Sequence, residues 1–357
     1  MSELLVPSIL AFMPALAVAI LLTPIVRRIA VRLNIVDKPT PRKLHVTPKP
    51  LLGGLAIYFA VVLGLLLTVP SNYRPQLIAL VVGASFLSAV GLVDDRISLH
   101  AKVKLFAAIP LAGFILVLGG IRITAWPLSP FLRGYPDFAF YCSVALTVLW
   151  VVIVTSAFAI LDHMDGLCAG VSAIAAAFFL LFALREGQPL MAIMAAALLG
   201  ATLGFLGWNF KPASIFMGDS GALLIGFLIS ALGILLKFSD LTTYTSWMIP
   251  PLVLGIPLFD AALVVVSRYR RGLIPSMSPG KDHLAHRLGA MGLGERGAVL
   301  VVYAITTLFG LFALLFTRLG IGFAYSLAVF LLACLFIALW KLEEAPYERQ
   351  EYDSGAR

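Results

Sequence analysis

Charge is the scarcest commodity in this 357-residue chain. Only 12% of its residues are Asp, Glu, Lys or Arg, about half the ~25% of an ordinary soluble domain, which excludes a water-soluble globular protein. Cysteine is nearly absent. Cys142, Cys168 and Cys334 lie in or beside apolar runs without metal-ligand spacing, so they read as small core residues, with no disulfides expected. There is no G-x-x-x-x-G-K-[ST] loop and no G-x-G-x-x-G turn, so P-loop ATP hydrolysis and dinucleotide binding lack support. No internal repeat, low-complexity tract or soluble-domain-sized polar stretch occurs. The first apolar run has neither a basic leader nor a small-residue cleavage site and reads as a retained helix. The net charge of +8 suits anionic headgroups and a cytoplasmic face better than nucleic acid.

What is present is apolar. Hydrophobic residues make up 61% of the chain, and the mean hydropathy is +1.01. Runs long enough to cross a bilayer, about 17–25 residues each, fall near 6–26, 52–70, 76–93, 103–121, 140–161, 167–184, 189–207, 220–237, 247–267, 297–317 and 320–340. The expectation is an all-α polytopic membrane protein of about eleven transmembrane helices. Counting alternate loops, 20 of the 26 Lys and Arg residues fall on one side and 6 on the other. The positive-inside rule then puts the N-terminus outside and the C-terminus in the cytoplasm. Trp126, Trp208, Trp247 and Trp340 sit at the predicted span ends, as interfacial rings do. The chain divides into one transmembrane catalytic domain, 1–341, and a cytoplasmic tail, 342–357. Its site loops are 27–51, 94–104, 162–166, 208–219 and 268–296.

Acidic residues are sorted by side. Asp94 and Asp95 end the third run in GLVDDRISLHAKVKL, Asp162 and Asp165 end the fifth in ILDHMDGLCAG, and Asp219 precedes the eighth in NFKPASIFMGDSG. All five fall on the cytoplasmic side, whereas Glu3, Asp137, Glu186 and Asp240 scatter over the other without pattern. Each has a plain structural reading alone. Asp94–Asp95 suits a solvated helix end, Asp219 a helix cap, and His283 and His286 ordinary interfacial histidines. Asp162 and Asp165, three apart, would share one helix face. Asp260, inside the ninth run, is costly there and so suggests function, or else a hydrogen-bonded packing residue. Together on one side they suit a divalent-cation site, since magnesium is held by one or two carboxylates plus substrate phosphates. Lys43, Lys104, Lys211 and the RYRRG run at 268–272 share those loops, which fits phosphoryl transfer, a chemistry of positioning and charge stabilisation.

On these motifs the chain resembles the polyprenyl-phosphate N-acetylhexosamine-1-phosphate transferases, bacterial envelope enzymes of glycosyltransferase family 4. DKPTPRKLHVTPKPLLGG, GLVDDRISLHAKVKL, ILDHMDGLCAG, NFKPASIFMGDSG, IPLFD and SPGKDHLAHRL follow in order between residues 37 and 288. The resemblance implies that a polyprenyl phosphate, such as undecaprenyl phosphate, attacks the sugar-linked phosphorus of a UDP-N-acetylhexosamine. UMP is then released, with Mg2+ (or Mn2+) required. Asp219, with Asp162, would hold the metal. Asp94 and Asp95 match an aspartate pair placed at the lipid phosphate, where a second pKa near 6 favours positioning over base catalysis. Asp162, His283 and His286 join them as catalytic candidates. Lys43, Asp165, Asn209 and Phe216 match positions at the uridine end, and Lys104 a lysine after the aspartate pair. The resemblance also implies an inner-membrane, multi-pass enzyme with a cytoplasmic active site, and it allows a homodimer.

Four positions depart from the family pattern. Ala159 stands where the family has asparagine, His163 where it has glycine, Ala285 at a histidine position of H-L-H-H-R-L, and Gly280 where an acid is usual, with Asp282 nearby. HLAHRL lies closer to the N-acetylglucosamine-1-phosphate branch than to the muramyl-pentapeptide branch. Losing a hydrogen-bonding group at such a site can cost a factor of about 10² to 10³. Either His163 or Asp282 compensates, or the donor differs, or the chain is a non-catalytic relative. A transporter is the remaining alternative, but it would place ionisable groups near the middle of several spans or break helices in paired halves. Only Asp260 approaches that.

Overall fold

The computed structural model describes residues 2–37, 48–124, 126–132, 134–273, 280 and 282–344. Every apolar run of the sequence falls on a helix. In chain order these are α1 (Ser2–Arg32), α2 (Gly53–Thr68), α3 (Arg74–Ile97), α4 (Ala101–Leu118), α5 (Pro136–Leu161), α6 (Leu167–Arg185), α7 (Pro189–Asn209), α8 (Gly218–Leu235), α9 (Thr243–Val253), α10 (Gly255–Arg270), α11 (Leu284–Phe316) and α12 (Ile321–Glu344). Among the described residues nine helices are long and apolar enough to cross a membrane. The pair α9 and α10, bent by 72°, makes a tenth if it is one span. At 16 residues, α2 is shorter than those nine. The protein is therefore an all-α, multi-pass membrane protein.

Local sequence explains the helix starts. Pro75, Pro136 and Pro189 open α3, α5 and α7 in the first turn, where no backbone N–H is needed. A π-helical turn, Lys104–Ala108, lies inside α4, and such turns recur at functional sites. At the centre stands α8, with 89% of its most apolar window buried, whereas only 6% of that of α12 is. Lipid is the natural cover for the rest, because bilayer tails solvate Leu and Phe as well as protein does. Along α1, Ala11, Ala15 and Ala19 are fully buried at four-residue spacing, a small-residue stripe that lets helices approach closely. Here α1 packs against α2 and α7.

Two features reshape the expected boundaries. The helix α12 continues through Glu344, so a division after 341 falls inside its last turn. Residues 162–166 form a turn between α5 and α6, so Asp162 and Asp165 do not share a helix face as their spacing suggested. With helical hydrogen bonding broken there, each points its own way.

A short ribbon completes the site end. Strands β1 (Val36–Asp37) and β2 (Lys49–Pro50) pair antiparallel, Val36 opposite Pro50. The pairing extends beyond them, with Phe216 N–H donating to the Pro50 carbonyl at 2.8 Å and Gly53 and Gly54 N–H to the Phe216 and Met217 carbonyls at 3.0 and 2.8 Å. A Cβ at Gly54 would lie 2.2 Å from the Gly221 nitrogen, so only glycine lets this segment lie against the start of α8.

Candidate active site

The sites predicted along the sequence converge at one end of the bundle. Lys104 Nζ donates to Asp94 Oδ2 at 2.6 Å and, across 115 positions of chain, to Asp219 Oδ2 at 2.5 Å. The other Asp94 oxygen accepts the Leu99 N–H at 2.6 Å. Asp95 faces the start of α8 and accepts the N–H groups of Asp219 at 2.8 Å and Ser220 at 3.3 Å. It thus caps that helix from another chain segment, satisfying donors a helix start leaves open. Asp219 is not the cap. Gly218 makes the arrangement achievable, since its φ is +72° and a Cβ would lie 2.5 Å from Asp95 Oδ2.

The turn at 162–166 supplies a second set. Asp165 accepts the Ala213 N–H at 2.9 Å. Asn209, buried, takes the Gly166 N–H at 3.1 Å on its oxygen and donates to the Ile215 carbonyl at 3.0 Å. These two residues act first on the loop, knitting 210–217 to the 162–166 turn. Tyr303, which no motif singled out, donates to the Gly166 carbonyl at 2.6 Å, and Lys49 to the Ala213 carbonyl at 2.6 Å. Asp162 lies within electrostatic reach of the other acids. Burial, then the charges of Asp219, Asp95 and Asp165, push its carboxyl up to about 8.

A third set comes from 268–288. Asp260 accepts His283 Nδ1 at 3.1 Å and the Leu284 N–H at 2.6 Å, which explains an acid inside an apolar run. Asp282 is gripped by Arg268, through Nε at 3.0 Å and a terminal nitrogen at 3.1 Å, and by Arg271 at 2.5 Å. Burial raises this carboxyl, but the Arg268 hydrogen bonds and charge, with His283 and Arg271, hold it down at about 2. Arg287 is fully buried, donating to the Asp282 carbonyl and Ser267 Oγ at 2.9 Å each, to Glu343 Oε1 at 2.6 Å and to the Leu342 carbonyl. The end of α12 is thereby clamped to the histidine segment. Lys211 pairs with Glu295, and Lys43 lies outside the described residues.

The donor set fits magnesium. Asp162 and Asp219 offer carboxylate oxygens, the ligand type this hard cation takes, with the charges of Asp95 and Asp165 close by. The Lys104 ammonium already spans Asp94 and Asp219 as a cation would.

Fold and site together define a polytopic membrane protein with an acid-rich, lysine-bridged centre at one end of its bundle, the architecture of a membrane-embedded transferase. The glycosyl transferase family 4 profile matches residues 77–237. The chain is 36% identical to a probable undecaprenyl-phosphate N-acetylglucosaminyl 1-phosphate transferase of Bacillus subtilis (strain 168), over 88% of this chain and 86% of that one. It is 34% identical to a decaprenyl-phosphate N-acetylglucosaminephosphotransferase of Mycolicibacterium smegmatis, over 78% and 74%. To an undecaprenyl-phosphate alpha-N-acetylglucosaminyl 1-phosphate transferase of Yersinia pestis it is 30% identical, over 87% and 85%. The chain belongs to glycosyl transferase family 4.

Proposed function

We propose that this protein transfers N-acetylglucosamine 1-phosphate from UDP-N-acetylglucosamine to a polyprenyl phosphate and releases UMP. The observation that carries the reading is the Asp94–Lys104–Asp219 bridge beside Asp162, in a family whose relatives are named for this transfer. A lipid-phosphate oxygen forms a new bond to the sugar-linked phosphorus, and the bond from that phosphorus to the bridging oxygen breaks, leaving with UMP. At pH 7 the lipid phosphate is largely dianionic, its second pKa being about 6, so orientation matters more than proton removal. Magnesium, held by Asp219 with Asp162, would supply neutralisation of diphosphate charge.

The chain's own residues do the positioning. Lys104, steered by Asp94, presents an ammonium to phosphate oxygens. Asp95 fixes the start of α8 and so the direction of Asp219. Asp165 and Asn209 set the 210–217 loop, whose Phe216, with Lys43, would receive the uridine end. His283 and His286 face the diphosphate. We place the site on the cytoplasmic face of the bacterial inner membrane, where nucleotide and lipid phosphate meet. The N-terminus lies outside and eleven segments span, counting α2, α9 with α10 as one, and α11; a homodimer is compatible with this arrangement. The catalytic domain runs through the end of α12 at Glu344, and the C-terminal tail follows it.

The test is UMP release by purified protein given Mg2+, undecaprenyl phosphate and a panel of UDP-sugars. Release with UDP-N-acetylglucosamine is expected. Nucleotide binding without release under every donor would instead support a non-catalytic role, consistent with Ala159 and Ala285.

A further inference from the structure

Three imidazoles meet where two loops touch. The His163 and His283 rings stack with centroids 3.8 Å apart and planes 24° from parallel, and His286 lies 4.8 Å from His163. His283 is anchored independently, through Asp260. His163 contacts the Ile160 carbonyl through Nδ1 at 3.2 Å. A carbonyl only accepts, so the proton sits on Nδ1 and Nε2 is left as an acceptor. That Nε2 is buried with no hydrogen-bond partner in the structure. Beside it, His163, Asp260, Leu284 and Ala285 line a gap too narrow for a water molecule. A buried, unsatisfied acceptor needs a reason.

Metal binding is not that reason. Ligand atoms of His163, Asp260 and His283 lie within 4.8 Å of one another. Yet two imidazoles stacked 24° from parallel cannot both hold one ion in their ring planes at the ~2 Å that coordination needs. Asp282 is the other candidate for compensation, but its carboxylate is already taken by Arg268 and Arg271. The remaining fact is Ala285, 1% exposed on the same gap. The H-L-A-H-R-L segment carries a methyl there, and the neighbouring imidazole arrives from the α5–α6 turn.

We propose that His163 supplies, from the α5–α6 turn, the imidazole that position 285 lacks, and acts as a positioning residue fixing His286 against the diphosphate. The histidine at 163 and the alanine at 285 are then one paired change, each requiring the other. With its ring centroid 4.8 Å from that of His163, His286 is near enough for a small turn of the ring to bring an N–H to the Nε2 acceptor and so fix its orientation. This rests on the reading of that end as the diphosphate site.

The experiment is a 163/285 cycle in full-length, detergent-purified protein, assayed by UMP release with Mg2+, UDP-N-acetylglucosamine and undecaprenyl phosphate. H163G should lower kcat by roughly ten- to a hundredfold, the range a small misplacement can cost, while KM for the UDP-sugar moves less than about threefold. H163G/A285H should recover most of the lost kcat. H163F keeps the stack filled, guarding against a folding artefact, yet should stay as impaired as H163G because its ring carries no nitrogen. Full activity in H163G or H163F, or no recovery in the double variant, overturns the proposal. Melting temperatures of wild type, H163G, A285H and H163G/A285H read the pairing without turnover. A285H should stabilise the H163G background and destabilise the wild type by crowding, and strictly additive shifts would refute it. An inactive wild type with a non-additive melting cycle would sink the transferase reading but not the spatial pairing.

Discussion

Arg287 offers the sharpest test of how the site is held. Its guanidinium is fully buried and joins Ser267 on α10, the Asp282 carbonyl and Glu343 on α12. R287M keeps the aliphatic stem but leaves the Glu343 carboxylate, 7% exposed, without its 2.6 Å partner. Removing one member of a buried pair costs about 3–5 kcal/mol, most of it the penalty for the orphaned charge. Arg270, 3.8 Å from Glu343, compensates in part, so a loss near the lower end, about 3 kcal/mol, is expected. E343Q in the R287M background removes the orphaned charge and should recover about half of that. Fluorescence-monitored melting in detergent reads both changes, and UMP release reports whether the adjacent histidines have moved. An R287M protein melting within a degree of wild type, or a double variant no more stable than the single, would show that the clamp does not hold the histidine segment.

Four further outcomes follow from the same geometry. D219N should lower UMP release by about 10² to 10³ while nucleotide binding persists, and near-normal turnover would remove Asp219 as metal ligand. At pH 7, Asp162 holds a proton because its carboxyl is raised to about 8. Asp219, raised to about 7 by burial, also holds part of a proton there, so Mg2+ binding should release more protons in wild type than in D162N, measured by calorimetry in buffers of different ionisation heat. The Asp162 effect also makes the metal-free fold lose stability as pH rises from about 4 through 8. Asp282 has the opposite sign: its carboxyl, lowered to about 2, contributes about 2 kcal/mol above pH 4. That contribution disappears as pH falls through 2, and D282N should melt lower than wild type at pH 6. G218A forces a Cβ into the Asp95 carboxylate at a positive φ and should cost at least about 1 kcal/mol, visible as a lower melting temperature.

How much of this was written in the sequence depends on the range of the interaction. Hydropathy placed all eleven apolar runs on helices, because a bilayer demands backbone hydrogen bonds satisfied within the segment. The motif order and the one-sided acids marked the loops that come together. The turn at 162–166 shows the limit, since a three-residue spacing has meaning only if the intervening backbone is helical. Asp94, Asp95 and Asp219 were legible as a group, but their division of labour was not. Lys104 reaches across 115 residues to Asp219, and Asp95 rather than Asp219 caps α8. Asn209 read as a nucleotide contact, and its amide holds a loop. The His163 and Ala285 departures were visible one by one, while the gap they share needed two loops in contact.

The sequence by itself determined a multi-pass helical membrane protein and the family it belongs to, and it marked the loops whose acids and bases come together. Those properties depend on local hydrophobicity and on residues in fixed order. Only the tertiary structure decided which carboxylate caps, which is bridged by lysine, which is locked by arginine and which imidazoles stack. Those roles depend on the directions and separations of side chains from distant segments, and one-dimensional spacing carries no information about either.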